Sequence, residues 1–317
     1  MLDKLHPQTR TMLERIRSGG APPFDTLQPA QSREIYRSRV ALVNLPKAAL
    51  ASVEDRSIAG PHGPIPLRIY KPAGSVEGLP VVLFFHGGGF VLGDLETHDP
   101  ECRLLAKLSP AIVVSVDYRL APENKFPAAI DDSYAATCWV HENARVLGGD
   151  PERLAVCGDS AGGTIAIVMT QLAKQHGGPP IKLQLLVYPG TDRLEATASR
   201  PSHAFYDSGL FLTRDLVKWY ADQYFPASAD PDDFRFCPIA ASDLSGLPPA
   251  LIVTAQYDPI CDDGKAYAER LRSAGVETTY RCYAGQVHGF FVWGGVVDDC
   301  RRVIDDLVAA IKSRFGP

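Results

Sequence analysis

A serine hydroxyl becomes a nucleophile only when a base lies beside it and the backbone projects it clear of its neighbours. Gly158-Asp159-Ser160-Ala161-Gly162-Gly163 offers that projection, because it follows the apolar run 154–157 and leads into the apolar stretch 164–168. A strand, a sharp turn and a helix put Ser160 at the apex. Gly158 and Gly162 remove side chains where such a turn is tightest. The helix that begins there aims free backbone N–H groups, that of Ala161 included, at developing negative charge. Alone, the motif fits an ordinary glycine-rich β–α turn equally well, so the rest of the chain has to decide.

Three further segments carry matching chemistry. His86-Gly87-Gly88-Gly89-Phe90 follows the apolar run 81–85. Successive glycines let a backbone approach a ligand and turn N–H groups inward, and each donor to an oxyanion is worth about 10²–10³-fold in rate. The candidate donors are Gly87, Gly88, Gly89 and Ala161, with Gly88 and Gly89 favoured within the loop. A phosphate cradle is the competing reading, but the GxGxxG and GxxxxGK[ST] spacings are absent. His86 ends its strand ahead of the serine and reads as a brace for this loop rather than a base.

Asp258 follows the run 250–254, at the strand end where side chains gather in an open parallel sheet. Asp262 and Asp263 are also acids in that stretch, but they suit the first turn of the following helix. His288, in Gly285-Gln286-Val287-His288-Gly289, is the one histidine of eight that comes after both serine and acid in a glycine-flanked post-strand loop. Ser160, Asp258 and His288 are therefore the expected catalytic residues: nucleophile, orienting acid and base.

Positioning these loops requires strands that end together. Runs at 53–58 and 66–70 look like two antiparallel strands joined by Gly60-Pro61-His62-Gly63. Continuous apolar runs at 81–85, 111–116, 154–157, 183–187 and 250–254 suit strands covered on both faces, and a final strand follows at 278–282. Helical stretches at about 97–108, 127–146, 161–176, 262–274 and 297–313 alternate with them. The alternation predicts an α/β fold with a mostly parallel, eight-stranded sheet and helices on both faces. Residues 1–45 read as amphipathic helices broken by the loop 18–23. Residues 190–245 interrupt the rhythm with one helix near 213–224 and proline-rich loops, an insertion long enough to be a lid or binding loop.

Composition limits the remaining possibilities. The 317 residues carry a net charge of −5 and no run of Lys and Arg, which argues against nucleic-acid binding. Seven scattered cysteines without a CxxC pair suggest neither a disulfide framework nor a zinc site, and fit a reducing cytoplasm. No signal-peptide pattern or apolar run of about 18 residues is present, so no membrane association is expected.

Taken together, the segments 86–90 (HGGGF), 117–123 (DYRLAPE) with Phe126-Pro127-Ala128, 158–163 (GDSAGG), Tyr257-Asp258-Pro259 and His288-Gly289-Phe290 are similar to the bacterial hormone-sensitive-lipase-like carboxylesterases. The likeness runs from about residue 50 to the C-terminus, and the Ser, Asp, His order is that of α/β-hydrolases. It implies an α/β-hydrolase core at 46–189 and 246–317, with a helical cap built from 1–45 and 190–245. Two positions depart from the family pattern: Cys261 replaces a long basic residue, and Ala284 replaces a proline. The resemblance implies a serine esterase acting on short- to medium-chain esters through an acyl-enzyme, without metal or organic cofactor. Amide or lactone hydrolysis on the same residues, interfacial lipolysis, or ligand binding without catalysis are the alternatives. By position, Phe90, Tyr188, Phe205, Leu210, Phe211, Ile260 and Val287 are candidates for the substrate pocket. A small-molecule ester is the expected partner, and the strand near 278–283 is a candidate edge for a homodimer.

Overall fold

Each apolar run becomes a strand of one sheet. In the computed structural model, which describes residues 2–20, 22–74, 77–230 and 232–316, the strands are β1 (Ser52–Gly60), β2 (Gly63–Lys71), β3 (Leu79–Phe85), β4 (Ile112–Val116), β5 (Gly149–Asp159), β6 (Ile181–Val187), β7 (Ala250–Ala255) and β8 (Thr278–Tyr283). Their spatial order is β1-β2-β4-β3-β5-β6-β7-β8. β1 and β2 pair antiparallel with each other, and β2 pairs antiparallel with β4. Every other pairing is parallel. Every residue of β3, β4 and β7 is buried, as continuous Val, Leu, Ile and Phe runs require of strands covered on both faces.

The helices are α1 (Pro7–Ser18), α2 (Pro29–Val43), α3 (Asp99–Leu108), α4 (Ala128–Leu147), α5 (Ala161–His176), α6 (Arg214–Tyr224), α7 (Cys261–Ser273) and α8 (Asp299–Phe315). α5 packs on β3, β5 and β6 beside α4, while α8 packs on β6 and β7 beside α3. Because β3, β5, β6, β7 and β8 run parallel, the loops after them open at one end of the sheet. Those loops contain the glycine run, the serine turn and the segments of Asp258 and His288.

Described parts of the N-terminal segment and of the 190–245 segment, Phe24, Tyr36 and α6 among them, meet above that end. The break between the first two helices, expected at 18–23, runs from 19 to 28, Ala21 lying outside the described residues. The short turn Phe24–Thr26 packs against α6, and the Arg17 guanidinium donates to Gly209 O at 2.8 Å. α2 is fixed to the core by Arg33, which donates to Val91 O (2.8 Å) and Ala121 O (2.7 Å) and pairs with Glu123. Thr213 caps α6 by accepting from Leu216 N–H at 3.2 Å. No helix among the described residues is long and apolar enough to cross a membrane.

Candidate active site

Ser160 is held in a conformation that few side chains tolerate, with φ 53° and ψ −120°. Such backbone strain persists only where the surroundings over-determine it. Here the Ser160 N–H donates to Val187 O at 2.9 Å, and α5 starts at the next residue. Gly162 must be glycine, because a Cβ there would overlap the Phe85 carbonyl. At Gly158 a Cβ would overlap the Gly162 backbone. The serine is thus lifted off the end of β5 and its hydroxyl faces the open end of the sheet.

Two other loops complete the arrangement. The loops after β7 and β8 are tied together by Gln256 N–H to Tyr283 O (3.0 Å), Tyr257 N–H to Gln286 O (2.9 Å) and Gly285 N–H to Gln256 Oε1 (2.9 Å). This brings the Asp258 carboxylate to 2.7 Å from His288 Nδ1, and His288 Nε2 lies 2.9 Å from Ser160 Oγ. Asp258 is fully buried, and its second oxygen accepts the Ile260 N–H at 3.0 Å. With Nδ1–H committed to the carboxylate, the imidazole presents a bare Nε2 to the hydroxyl, as proton abstraction requires. The other acids are engaged elsewhere. Asp262 accepts the Ser202 N–H at 2.8 Å, and Asp263 pairs with Arg200.

The glycine loop lies beside this line. Gly88 (φ 125°) and Gly89 (φ 61°) adopt left-handed conformations, and a Cβ on Gly89 would overlap the Tyr220 ring. The N–H groups of Gly88, Gly89 and Ala161 make no hydrogen bond among the described residues, so they are free to donate to a ligand. Gly87 departs from the expected donor set. Its N–H is already given to Asp159 Oδ1 at 2.8 Å, which leaves three candidate donors instead of four.

Asp159, one residue before the serine, therefore couples the serine turn to the glycine loop, a link hidden within the sequence motif. His98 Nε2 lies 3.1 Å from the same carboxylate oxygen. Burial works against charge on His98, but Asp159 outweighs it and raises the imidazole above its ordinary range. Burial likewise opposes charge on Asp159, and His98 outweighs it, holding the carboxyl below its usual range. His86 behaves as the brace expected of it. Its Nδ1 lies 2.9 Å from Gly87 O, its ring stacks on Tyr118, and the Tyr118 hydroxyl donates to His86 O at 2.6 Å. Burial lowers its pKa to about 4, so it is neutral at physiological pH.

Ser160 and His288 open into a cavity of about 640 Å³. Of the pocket candidates, Phe90, Tyr188, Phe211 and Ile260 line it. Three do not. Phe205 packs its ring edge-on against Tyr257, its neighbour Tyr206 facing the cavity in its place, because the tight Pro201–Asp207 turn sends adjacent side chains to different sides. Leu210 and Val287 are buried in the hydrophobic core. The wall also includes Phe24, Tyr36, Leu216, Val217 and Tyr220, which the sequence reading missed. Positions 216, 217 and 220 share one helical face, a periodic signal that was available. Phe24 and Tyr36 carried none, since only the tertiary docking of the N-terminal segment brings them there.

A family model described as the alpha/beta hydrolase fold matches residues 82–292, which span the glycine loop, the serine turn, Asp258 and His288. The chain belongs to the α/β-hydrolase family. This α/β-hydrolase is 45% identical over 295 residues to carboxylesterase NlhH of Mycobacterium tuberculosis, covering 90% of this chain and 91% of that one. It is 34% identical to an ethyl acetate hydrolase of Pseudomonas putida, over 98% and 99% of the two chains. Among solved structures, an ester hydrolase from the metagenome of Lake Arreo superposes with a TM-score of 0.94 at 40% identity, over 99% of this chain and all of the other.

Proposed function

We propose that this carboxylic ester hydrolase acts on short- to medium-chain esters through an acyl-enzyme formed on Ser160. The observation that carries the reading is the unbroken line Asp258–His288–Ser160, with separations of 2.7 and 2.9 Å, opening into a largely apolar cavity. Ser160 Oγ attacks the ester carbonyl while His288 Nε2 takes its proton and then delivers it to the leaving alkoxide. Asp258 holds the imidazole tautomer and stabilises the imidazolium. The N–H groups of Gly88, Gly89 and Ala161 receive the oxyanion, and water repeats the cycle on the acyl-enzyme. Residues 1–45 and 190–245 act as a cap whose wall sets the acyl chain accepted, over a catalytic core at 46–189 and 246–317.

Two further readings accompany this one. The cysteine distribution supports a reducing, cytoplasmic setting, and the free edge of β8 supports pairing with a second copy. Elution volume on size exclusion checks the pairing, a monomer counting against it.

Hydrolysis of p-nitrophenyl butyrate tests the nucleophile. Ser160→Ala should lose nearly all turnover, as should His288→Ala, and the double variant should lose little more because the pair acts as one unit. Full turnover in Ser160→Ala would remove Ser160 from this role.

A further inference from the structure

Cys261, the departure from the family pattern noted above, has a partner. It opens α7 three residues after Asp258, while Cys282 lies on β8 six residues before His288. The parallel register pairs Thr254 with Cys282, so Thr254, Tyr280 and Cys282 project from one face of the sheet. The first turn of α7 rests against that face. The two sulfurs are 4.0 Å apart. Cys261 Sγ also lies 3.6 Å from Thr254 Oγ1 and 3.9 Å from the Tyr280 hydroxyl, and those two oxygens are 2.8 Å from each other.

The pair differs from the other thiols of the chain. Cys102, Cys157, Cys237 and Cys300 are buried, where a thiol packs as a small hydrophobe, and the half-buried Cys138 has the Tyr134 hydroxyl as its hydrogen-bond partner. Cys282 is exposed to solvent-borne reagents, and Cys261 is half-buried directly behind it. Closing 4.0 Å to the ~2.0 Å of a disulfide needs roughly 2 Å of combined movement, within reach of side-chain rotation plus a small shift of the α7 turn. Cys282 projects from a sheet face and Cys261 meets it there from α7, so pairing of a second copy along the β8 edge would not by itself separate them.

The geometry points to Cys261 and Cys282 as a dithiol modification site that reacts with hydroperoxides and closes to a reversible disulfide beside the catalytic acid. The Cys282 thiolate attacks the peroxide O–O bond, forming a sulfenic acid and expelling the other oxygen as hydroxide or alkoxide, which takes a proton from solvent to leave as water or alcohol. The Cys261 thiol then displaces hydroxide from that sulfur, which leaves as water after taking up the thiol proton. Two electrons pass from the dithiol to the peroxide, and an added thiol reverses the change by exchange.

Electrostatics supply the reactive form. Accepting a hydrogen bond from the Cys261 thiol lowers the Cys282 pKa below its ordinary value, which favours the thiolate at the exposed sulfur. Donating that bond raises Cys261, which keeps its proton until it attacks.

The cross-link reaches the active site through the backbone. The Cys261 N–H donates to Asp258 O at 3.0 Å, and the adjacent Ile260 N–H to Asp258 Oδ1 at 3.0 Å. Drawing Cys261 toward β8 moves the turn that aims Asp258 at His288. Displacements near 1 Å at a catalytic group cost up to about 10²-fold in rate, so oxidation should lower kcat at least about fivefold. This activity effect rests on Asp258 being the triad acid, whereas formation of the cross-link does not.

The test treats the full chain with hydrogen peroxide, blocks remaining thiols with iodoacetamide and maps peptides by mass. The expected result is a peptide pair joined through Cys261 and Cys282, two hydrogens lighter than the separate peptides. Turnover on p-nitrophenyl butyrate should fall with the same time course and return on adding dithiothreitol. Cys282→Ser should be resistant, and Cys261→Ser should stop at a sulfenic acid that dimedone traps on Cys282. Absence of the cross-link in the unaltered chain would overturn the site. A cross-link with unchanged kcat would overturn the coupling to Asp258 alone.

Discussion

Replacing Asp258 by asparagine isolates the contribution of one oxygen–nitrogen contact. The two side chains have the same shape, and the residue is fully buried, so solvent cannot compensate. Both carboxylate oxygens are in use, one facing His288 Nδ1 at 2.7 Å and the other accepting the Ile260 N–H at 3.0 Å. Asparagine has one acceptor for these two donors. If its oxygen keeps Ile260, its NH₂ group faces Nδ1, and the imidazole must shift its proton to Nε2. The base then presents N–H to Ser160 Oγ and cannot take a proton. If the amide flips, two N–H donors confront each other near Ile260, a buried mismatch costing about 1–3 kcal/mol. The flipped form also lacks the negative charge that stabilises the imidazolium.

Both outcomes depress kcat, and loss of the correct tautomer in a serine triad costs about 10⁴-fold, equivalent to about 5 kcal/mol. Asp258→Asn should therefore reduce kcat on p-nitrophenyl butyrate by about 10³–10⁴-fold, with KM within a few-fold because no cavity wall changes. Asp262→Asn serves as the control, since that carboxylate serves Ser202, and it should stay within about twofold. A thermal melt confirms that each variant is folded. A folded Asp258→Asn with kcat within tenfold of the parent would refute the reasoning, as would a large loss in Asp262→Asn.

Tyr220→Ala should open the cavity wall over Gly89 to longer acyl chains. Each methylene newly buried is worth about 0.8 kcal/mol, or about fourfold in kcat/KM, so the octanoate-to-butyrate ratio should rise at least about tenfold. An unchanged ratio would mean that α6 does not limit chain length. Gly88→Ala forces a Cβ at φ 125° into the Leu92 carbonyl, and should lower the melting temperature and cut kcat by more than about tenfold. Parental values for both would show that the loop is not held as described. Glu101 is buried, which raises its pKa to about 7 from 4.5. The resulting stability is complete below pH 4.5 and is lost as pH rises through 7, amounting to at most about 3 kcal/mol. Glu101→Gln keeps an acceptor for Asn44 Nδ2, so it should melt like the parent near pH 4.5 and higher than the parent at pH 8. Equal melting at both values would refute the buried charge.

The atoms of the proposed chemistry were legible because each stands past the end of a strand expected from the sequence. Ser160, Asp258 and His288 follow β5, β7 and β8, and parallel strands bring their C-terminal loops together whatever the intervening chain does. The hydrogen-bond ties that finish the placement were not legible. Nothing near Asp159 marks its carboxylate as the acceptor for Gly87 N–H, 72 residues away in the chain. Nor does the sequence indicate that Thr9 of α1 donates to Gln286 Oε1, two residues before His288. Such contacts depend on which segments dock, and docking has no period to read.

The same distinction separates the chemistry from substrate choice. Phe205 and Tyr206 are adjacent aromatics in one turn, and only the second faces the cavity. Hydrophobicity predicts that both leave water, but not on which side each is buried. The wall is composed where Phe24 and Tyr36, from the N-terminal segment, meet Leu216, Val217 and Tyr220 of α6. Neither group contains a member of the Ser160–His288–Asp258 line. A substitution at 24, 36 or 217 should therefore move KM and acyl preference while leaving the 2.7 and 2.9 Å contacts of that line in place. Tyr220 is the exception, because its ring also covers Gly89 and a change there reaches a candidate oxyanion donor. Wall and chemistry are thus joined at one residue pair, Tyr220 and Gly89, and it is there that altering the substrate range should first carry a cost in kcat.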